Sequence, residues 1–352
     1  MTKGKSNHKR PEGKVLNFDH IIFWVANAKT ITIIFESPTT SGGEISKDLS
    51  AHGDFVKDVA FEVQDLDELV RRAKDGGAEI VRGLTEEKDK HGAVRYAVLK
   101  TYGDNTHTLI DRSKYKGILL PGYEPVDHDD ILNKSLPATN LMFIDHVEGN
   151  MADGTLEDSV AWYEKNLNMH RFWCVDYKHD LVPYSCINSA SVMNRDENVL
   201  LSMNEAAKGL RPTSKASEFV KSLGTSGVEH IALYTDDIVA TMRNLKARGA
   251  DILSWPPTYY DLIREKLKHS SIKVAESIEA LQDQNILIDF DERGYMLQAF
   301  TKHLQARPTV FIEILQRRNH RGFGAMNYKW VFEAIEQSKN ESTEEVKKND
   351  AA

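Results

Sequence analysis

The feature that most constrains the fold is an internal repeat. Residues 56–81, VKDVAFEVQDLDELVRRAKDGGAEIV, align without a gap on residues 228–253, VEHIALYTDDIVATMRNLKARGADIL. Each copy opens with the alternation of a half-buried strand, continues as an amphipathic helix, and returns to an apolar run after a glycine. Asp65 and Asp237 stand where each helix needs an N-cap. The repeat therefore predicts a strand–helix–strand unit that occurs twice.

A second pair of segments extends the repeat. NFDHIIFWV (17–25) resembles FIDHVEGNM (143–151), and both contain Asp-His. His146 is followed by a predicted helix and further strands, whereas His20 is followed almost at once by the strand-like ANAKTITIIFESP. We therefore predict an α+β fold of tandem βαβββ modules in two halves. The first module should be short by about forty residues, lacking a helix and roughly two strands.

The modules divide the chain into five segments. We expect a disordered basic arm, an incomplete N-terminal half, a linker, a C-terminal half and a disordered tail, at 1–14, 15–118, 119–138, 139–336 and 337–352. Both terminal segments are polar and charged, which is typical of chain ends that do not pack.

Composition excludes several classes of function. The chain has 352 residues and a formal net charge of −8, so it lacks the electrostatic footprint of a protein that binds nucleic acid or an anionic membrane. No apolar run approaches the length of a membrane span, and we expect no signal peptide, since the pattern of a charged segment followed by an apolar one is not found. Cys174 and Cys186 cannot form a disulfide framework. These observations favour a globular protein of a reducing compartment, the cytosol.

Three polar residues lie at corresponding places in predicted strands of the C-terminal half. His146 and His230 begin the first strands of its two modules, and Glu313 interrupts the apolar run TVFIEILQR. The spacing is even, at 84 residues and then 83. A carboxylate in so apolar a strand needs a partner, because an isolated buried charge is very costly. Pseudo-twofold packing of the modules would bring the three side chains into one cup.

Two imidazoles and one carboxylate form the facial triad of non-haem Fe(II) oxygenases, which leaves further coordination positions open. A Zn²⁺ site with the same ligands is the alternative metal site. A buried His–Glu hydrogen bond without metal is the structural alternative. The equivalent placement of the three residues in duplicated modules favours a metal.

The motifs around these residues resemble the 4-hydroxyphenylpyruvate dioxygenase family. The resemblance covers nearly the whole folded chain and is carried by FIDHVEGN, GVEHIAL, GYMLQAFTK (294–302), RPTVFIEILQRRNHRGFGAMNYKWVFEAIE (307–336), TYGDNTHTL (101–109) and YKGILLPGYEP (115–125). It implies the vicinal-oxygen-chelate fold, with one Fe(II) per chain held in the C-terminal half.

The resemblance also implies a reaction and its setting. The expected reaction converts 4-hydroxyphenylpyruvate and O₂ to homogentisate and CO₂ in tyrosine and phenylalanine catabolism. Oxidative decarboxylation of the aryl 2-oxo acid supplies two electrons, so no separate reductant is needed. The expected protein is a cytoplasmic homodimer or homotetramer without nucleic-acid or membrane partners.

Site residues carry over by position. The resemblance implies three groups, which are metal ligands (His146, His230, Glu313), catalytic polar residues (Gln298, Asn204, Ser189) and substrate-binding aromatic residues (Phe300, Phe311, Phe323, Tyr328, Phe332). The last helix resembles a lid over the pocket, and the glycines of RGFGAM provide a hinge.

Several positions depart from the family pattern. Glu229 and Lys215 stand where glutamines are usual, Ser202 stands for a proline, and Met326 stands for a glycine. We expect Lys215 and Glu229 to contact substrate, and they are candidates for an ion pair that replaces an amide pair. Because a site built around a hydroxyl discriminates strongly, these changes leave two alternatives open. One is a dioxygenase that forms a hydroxymandelate, and the other is a truncated, non-catalytic relative.

Overall fold

The structure is a computed structural model that describes residues 13–24, 34–117, 119–124, 135–172, 182–210 and 212–349. Its strands form two mixed sheets. They are β1 Lys14–Trp24, β2 Ile34–Glu36, β3 Phe55–Gln64, β4 Ile80–Asp89, β5 Gly92–Lys100, β6 Thr106–Asp111, β7 Phe143–Met151, β8 His170–Phe172, β9 Ile187–Met193, β10 Leu200–Ala206, β11 Gly227–Tyr234, β12 Leu287–Phe290, β13 Tyr295–Phe300 and β14 Phe311–Arg318.

Helices cover or connect the sheets. They are α1 Glu44–His52, α2 Leu66–Asp75, α3 Leu156–Leu167, α4 Val182–Ser185, α5 Lys215–Leu223, α6 Ile238–Ala247, α7 Pro257–Lys268, α8 Ile278–Gln284 and α9 Ala325–Asn349. The last of these corrects the expectation of a disordered tail from residue 337, because the helix continues to Asn349. The segment 337–349 contains neither proline nor glycine, so nothing in it stops a helix that has already formed. The basic arm up to residue 12 lies outside the described residues.

The C-terminal sheet has eight strands in the order β12-β13-β14-β11-β7-β10-β9-β8. It consists of two βαβββ modules, β7-α3-β8-β9-β10 and β11-α6-β12-β13-β14. Their first strands, β7 and β11, pair antiparallel at the centre of the sheet, and each also pairs in parallel with the last strand of its own module. The duplicated modules therefore meet along the strands that carry His146 and His230.

The N-terminal sheet repeats this order with fewer strands, β2-β1-β3-β6-β5-β4. The short strand β2 runs parallel to β1, as β10 runs parallel to β7. Within the described part of this half, no strand corresponds to β8 or β9 and no helix corresponds to α3. The predicted α+β fold with an incomplete first module is confirmed.

The helix ends of the repeat are formed differently in its two copies. Asp237 caps α6, since its side chain accepts a hydrogen bond from the Ala240 backbone. Asp65 occupies the equivalent place but adopts a left-handed conformation (φ 56°) without a side-chain cap, so the predicted cap is wrong there. Gly77 and Gly249 follow the two helices with φ of 82° and 89°, a conformation that favours glycine.

The two halves share one hydrophobic core and several polar contacts. Arg72 on α2 donates hydrogen bonds to the carbonyl oxygens of Lys165 and Glu164 at the end of α3. His107 on β6 is buried, with Nδ1 2.8 Å from the Val59 carbonyl oxygen and Nε2 2.8 Å from the Tyr163 hydroxyl on α3. None of the described helices has the length and apolar composition that a bilayer crossing requires.

Candidate metal centre

Three residues converge at the centre of the C-terminal sheet. His146 lies on β7, His230 on β11 and Glu313 on β14, and all three side chains are buried. Their free ligand atoms face one another. The His230 Nε2 atom is 3.3 Å from His146 Nε2 and 3.1 Å from Glu313 Oε2, and His146 Nε2 is 3.4 Å from the same oxygen.

These distances fit one metal ion. Nitrogen and oxygen ligands about 2.1 Å from a metal, at right angles to one another, lie about 3.0 Å apart. The three observed separations are within a few tenths of an ångström of that value. Two imidazoles and one carboxylate that border a cavity could therefore hold such an ion. The donor set and its spacing therefore form a metal-binding group.

An ion pair orients His146. Asp145 Oδ1 lies 2.8 Å from His146 Nδ1, and Arg317 binds both carboxylate oxygens of Asp145 at 2.7 and 2.9 Å. Arg317 also donates to the Gly322 carbonyl oxygen at 2.6 Å, in the loop before α9. Because Asp145 accepts the Nδ1 proton, Nε2 keeps the lone pair that a metal requires.

A second chain of hydrogen bonds orients Glu313. Gln298 on β13 donates through Nε2 to Glu313 Oε1 at 2.8 Å and accepts through Oε1 from Asn327 on α9 at 2.9 Å. Tyr259 donates in turn to Asn327 at 2.8 Å. This arrangement satisfies one carboxylate oxygen of Glu313 and leaves the other facing the histidines. Gln298 therefore contacts the ligand set directly.

The surroundings of His230 differ. Its Nδ1 atom lies 3.8 Å from carboxylate oxygens of both Glu148 and Glu229 and forms no hydrogen bond. Glu148 shares a face of β7 with His146, two residues away, as the period of a strand requires. Asn204 donates to Glu148 at 2.6 Å, and Ser189 donates to Asn204. Ser189 and Asn204 thus form a chain that ends on Glu148.

Burial and neighbouring charges shift the pKa values of these groups. Burial alone lowers the pKa of His146 and His230, but the carboxylates around them raise both values above the usual range. Burial raises the pKa of Glu313, but the two histidines outweigh it and bring the value to about 2. Burial raises the pKa of Glu148. Glu313 is therefore an ionised ligand, and a cation must displace protons from the histidines to bind there.

The ligand set opens into a cavity of about 690 Å³. Phe311 stacks on His230 with ring centroids 4.9 Å apart, and Phe300 packs edge-on against Phe311 at 5.9 Å. Phe323, just before α9, packs edge-on against His146 at 5.1 Å. The cavity has the size and the aromatic walls that suit a small planar ligand.

The structure brings most of the predicted site residues to this cavity. They include the three ligands and Asn204, Lys215, Glu229, Gln298, Phe300, Phe311, Phe323 and Tyr328. Ser189 lies behind Asn204, and Phe332 packs on Tyr184 at 5.8 Å; neither is among the residues that line the cavity. Ser202 is buried within β10, and Met326 is half-buried at the start of α9.

One predicted contact is wrong. Lys215 and Glu229, both described, form no ion pair within 4.0 Å, because Lys215 begins α5 at the exposed mouth of the cavity while Glu229 turns toward His230. Sequence reasoning also missed Glu148, Arg317 and Asn327. The alternation of β7 after His146 was a usable signal for Glu148, whereas Arg317 and Asn327 meet their partners only through the fold.

Known proteins resemble this chain over most of its length. Residues 143–266 match the Glyoxalase/Bleomycin resistance protein/Dioxygenase superfamily. A 4-hydroxyphenylpyruvate dioxygenase of Caenorhabditis elegans is 46% identical over 96% of this chain and 95% of the relative. Another from Xenopus tropicalis is 43% identical over 93% of this chain and 92% of the relative. The chain belongs to the 4-hydroxyphenylpyruvate dioxygenase family. It is therefore a member of a family of dioxygenases.

Two further comparisons concern the length of the chain and its fold. The match to a family member of Tetrahymena thermophila, 37% identical, spans 385 positions, and this chain has 352 residues, so at least 33 positions have no counterpart here (385 − 352). A solved structure of a triple mutant of 4-hydroxymandelate synthase from Streptomyces coelicolor has the same fold, with a TM-score of 0.71 and 24% identity over 93% of this chain and 99% of its own.

Proposed function

We propose that the chain is an Fe(II)-dependent dioxygenase that converts 4-hydroxyphenylpyruvate and O₂ to homogentisate and CO₂. The observation that supports this most is the facing of His146, His230 and Glu313, with ligand atoms 3.1–3.4 Å apart, toward a cavity with aromatic walls. Membership of a family whose relatives bear this enzyme's name agrees with it.

Each part of the site has a role in this proposal. His146 Nε2, His230 Nε2 and Glu313 Oε2 would hold one Fe(II), while Asp145 and Gln298 keep two of these ligands in orientation. The chemistry that Fe(II) supplies when bound is chelation of a 2-oxo acid and activation of O₂. Fe(II) is the ion of choice over Zn²⁺ because an oxygenase reaction needs a redox-active metal.

The aromatic walls would hold the substrate ring. Phe311 and Phe300 pack edge to face at 5.9 Å and together form a wall of the cavity, against which a flat group could pack. Phe323, just before α9, and Tyr328, in its first turn, border the same cavity. We assign α9 the role of a lid that excludes water, and Phe332 a supporting role through its contact with Tyr184.

Ser189 and Asn204 act through Glu148 in this proposal. Their hydrogen bonds run from the Ser189 hydroxyl to Asn204 and from the Asn204 amide to Glu148, which borders the cavity. They therefore position an acceptor on the cavity wall. Lys215, at the mouth, would attract the anionic substrate.

Anaerobic Fe(II) loading tests the proposal. Addition of 4-hydroxyphenylpyruvate should produce a visible charge-transfer band, and O₂ should then be consumed with release of homogentisate. His146→Ala should lose both the iron and the band, whereas His269→Ala, on an exposed helix end, should retain them. A wild-type protein that binds iron without a band or O₂ uptake would support the alternative of a non-catalytic relative. Formation of a hydroxymandelate would support the alternative of a hydroxymandelate-forming dioxygenase.

We further propose that the boundaries 15–118 and 139–336 delimit the two halves, joined by the linker 119–138, and that the protein is a cytoplasmic homodimer or homotetramer. The last strand of the N-terminal sheet ends at Asp111, and the first strand of the C-terminal sheet begins at Phe143, which supports the division. Light scattering of the purified protein would test the oligomeric state.

A further inference from the structure

Two carboxylates in the cavity are not needed to hold the metal. Glu148 follows His146 by two residues on β7, and Glu229 precedes His230 on β11. Both border the cavity, and the Glu148 side chain is only 6% exposed and that of Glu229 15%. Each lies 3.8 Å from His230 Nδ1, across the imidazole ring from the metal-binding Nε2. We call these two residues the carboxylate pair.

The carboxylate pair is short of hydrogen-bond donors. Glu148 accepts from Asn204, but among the described residues no other donor lies within hydrogen-bond distance of either carboxylate. His230 Nδ1 is buried without a hydrogen bond and points into the pair. The ligand-type atoms of Glu148, Glu229 and His230 all lie within 4.8 Å of one another. Two carboxyl groups this close together and this little exposed need hydrogen-bond donors or a positive charge beside them.

Counting donors identifies the partner of the carboxylate pair. A carboxylate only accepts hydrogen bonds, and Asn204 supplies one donor to Glu148, while the His230 Nδ1 atom, at 3.8 Å, is too far away to supply another. The remaining carboxylate oxygens of the pair therefore need further donors. A hydroxyl group offers one donor, whereas an amino group offers two and can also carry positive charge. Hydrogen bonds to a charged group are about twice as strong as neutral ones. A nitrogen group with at least two N–H bonds is therefore the complement of the pair.

We propose that Glu148 and Glu229 form a specificity subsite that selects aryl 2-oxo acids bearing an amino or other N–H-donating group on the ring. This inference rests on the proposed function, because the 2-oxo acid must first occupy the metal site. The metal ligands, the aromatic wall of Phe300 and Phe311, and the carboxylate pair all border the same cavity, so a ligand bound there would lie among all three.

A second divalent cation is the competing occupant of the pair. It would take Nδ1 of His230 while Nε2 holds the first metal. The imidazole would then have to lose both ring protons, and two dications would lie on either side of one ring. The cost of that arrangement favours an organic nitrogen group.

The test compares three ligands with the Fe(II)-loaded enzyme. Phenylpyruvate carries no ring donor, 4-hydroxyphenylpyruvate carries one, and 4-aminophenylpyruvate carries two. Anaerobic binding is followed by the fluorescence of Trp255, which borders the cavity, and turnover by O₂ uptake. The amino compound should bind at least about tenfold more tightly than phenylpyruvate, since each charge-assisted hydrogen bond is worth that much.

Variants assign the preference to the pair. Glu229→Gln and Glu148→Gln should each reduce the preference for the amino compound, measured as the ratio of its affinity to that of phenylpyruvate, about tenfold or more. Glu265→Gln on the exposed face of α7 is the matched control and should leave the affinity for both ligands unchanged. If the buried variant Glu148→Gln does not fold, the half-buried Glu229→Gln decides the question alone.

The outcomes separate this inference from the proposed function. Binding and turnover of phenylpyruvate without a preference for the amino compound, or with one that both variants retain, would overturn the subsite and leave the proposed function intact. Failure of all three 2-oxo acids to bind would overturn the proposed function. Two metal ions per chain by elemental analysis, falling to one in Glu229→Gln, would replace the subsite by a second cation site.

Discussion

The two halves of the molecule share one strand order but carry different side chains at equivalent positions of their sheets. In the C-terminal half, β11 pairs in parallel with β14 so that His230 lies opposite Phe311. In the N-terminal half, β3 pairs in parallel with β6 so that Asp58, which the repeat aligns with His230, lies opposite Thr106. The strand order and the parallel pairing are the same in the two sheets, so the chemistry of each half depends on the side chains that these strands carry.

In the N-terminal half, the side chain at this position, Asp58, receives its hydrogen bonds from the neighbouring strand β6. Asp58 accepts hydrogen bonds from the Thr106 hydroxyl at 2.5 Å and from the Thr108 backbone at 3.3 Å. In the C-terminal half, the ligand atoms of His146, His230 and Glu313 face one another at 3.1–3.4 Å and border a cavity. Among the described residues, groups that could hold a metal occur in the C-terminal half alone. The comparison shows that duplication supplied the scaffold twice, whereas, in the part of the chain that the structure describes, side chains that could hold a metal are present in one copy only.

The largest expected difference between the halves concerns metal binding. His230→Ala should remove the metal and lower kcat by on the order of 10³-fold or more, because the ligand set cannot be completed. Asp58→Asn, at the aligned position, should leave one metal per chain and near-normal kcat. Elemental analysis and O₂ uptake measure both. Loss of metal in Asp58→Asn would show that the halves are more closely coupled than the contacts indicate.

Two glycines with positive φ give the next largest difference. A Cβ on Gly324 (φ 78°) would lie 2.0 Å from Gln298 Oε1, whereas one on Gly77 (φ 82°) would meet no atom within 4 Å. Gly324→Ala should therefore lower the free energy of unfolding by about 3 kcal/mol, through strain and displacement of Gln298. Gly77→Ala should lower it by about 1 kcal/mol. Urea denaturation of both variants provides the comparison, and equal losses would contradict the close approach at Gly324.

Removal of the His146 partner should have a smaller, specific effect. Asp145→Asn should weaken metal affinity about 10- to 100-fold, because the hydrogen bond that fixes the His146 tautomer is weakened. Chelator competition with Co(II) measures the affinity without reference to catalysis. Asp236→Asn, an exposed aspartate beyond β11, is the control and should retain wild-type affinity. Equal metal affinities in the wild type and both variants would show that Asp145 does not support metal binding.

The smallest expected effect belongs to the N-terminal half and depends on pH. Burial lowers the pKa of His107 from 6.5 to about 4, and the Tyr163 hydroxyl is the titratable group that faces it. The folded state therefore binds fewer protons than the unfolded state below pH 6.5. Stability is complete above about pH 6.5 and declines as the pH falls toward 4.

Between pH 7.5 and 5.0 this residue should account for a loss of about 2 kcal/mol. The free energy of unfolding of His107→Gln, whose side chain cannot titrate, should therefore fall by about 2 kcal/mol less than that of the wild type over the same pH range. Urea denaturation at the two pH values measures the difference. The metal centre contributes its own pH dependence, so both proteins are compared with the metal removed. An identical pH dependence in the two proteins would assign the effect to other groups.

Much of this molecule could be predicted from its sequence. The aligned segments 56–81 and 228–253 predicted the strand–helix–strand units, because periods of 2 and 3.6 residues are local properties of the chain. The placement of His146, His230 and Glu313 in matching strands predicted that they would converge. Local chemistry failed at Asp65, which occupies the cap position without capping, and beyond residue 336, where polar composition masked a continuing helix.

Only the tertiary structure decided which polar groups are paired. It turned Glu229 toward His230 and away from Lys215, and it joined Arg317 to Asp145 across 172 residues of sequence. The physical reason is one of range. Strand and helix patterns arise from neighbours in sequence, whereas the partner of a buried charge is chosen by packing between distant strands, and no local pattern records it.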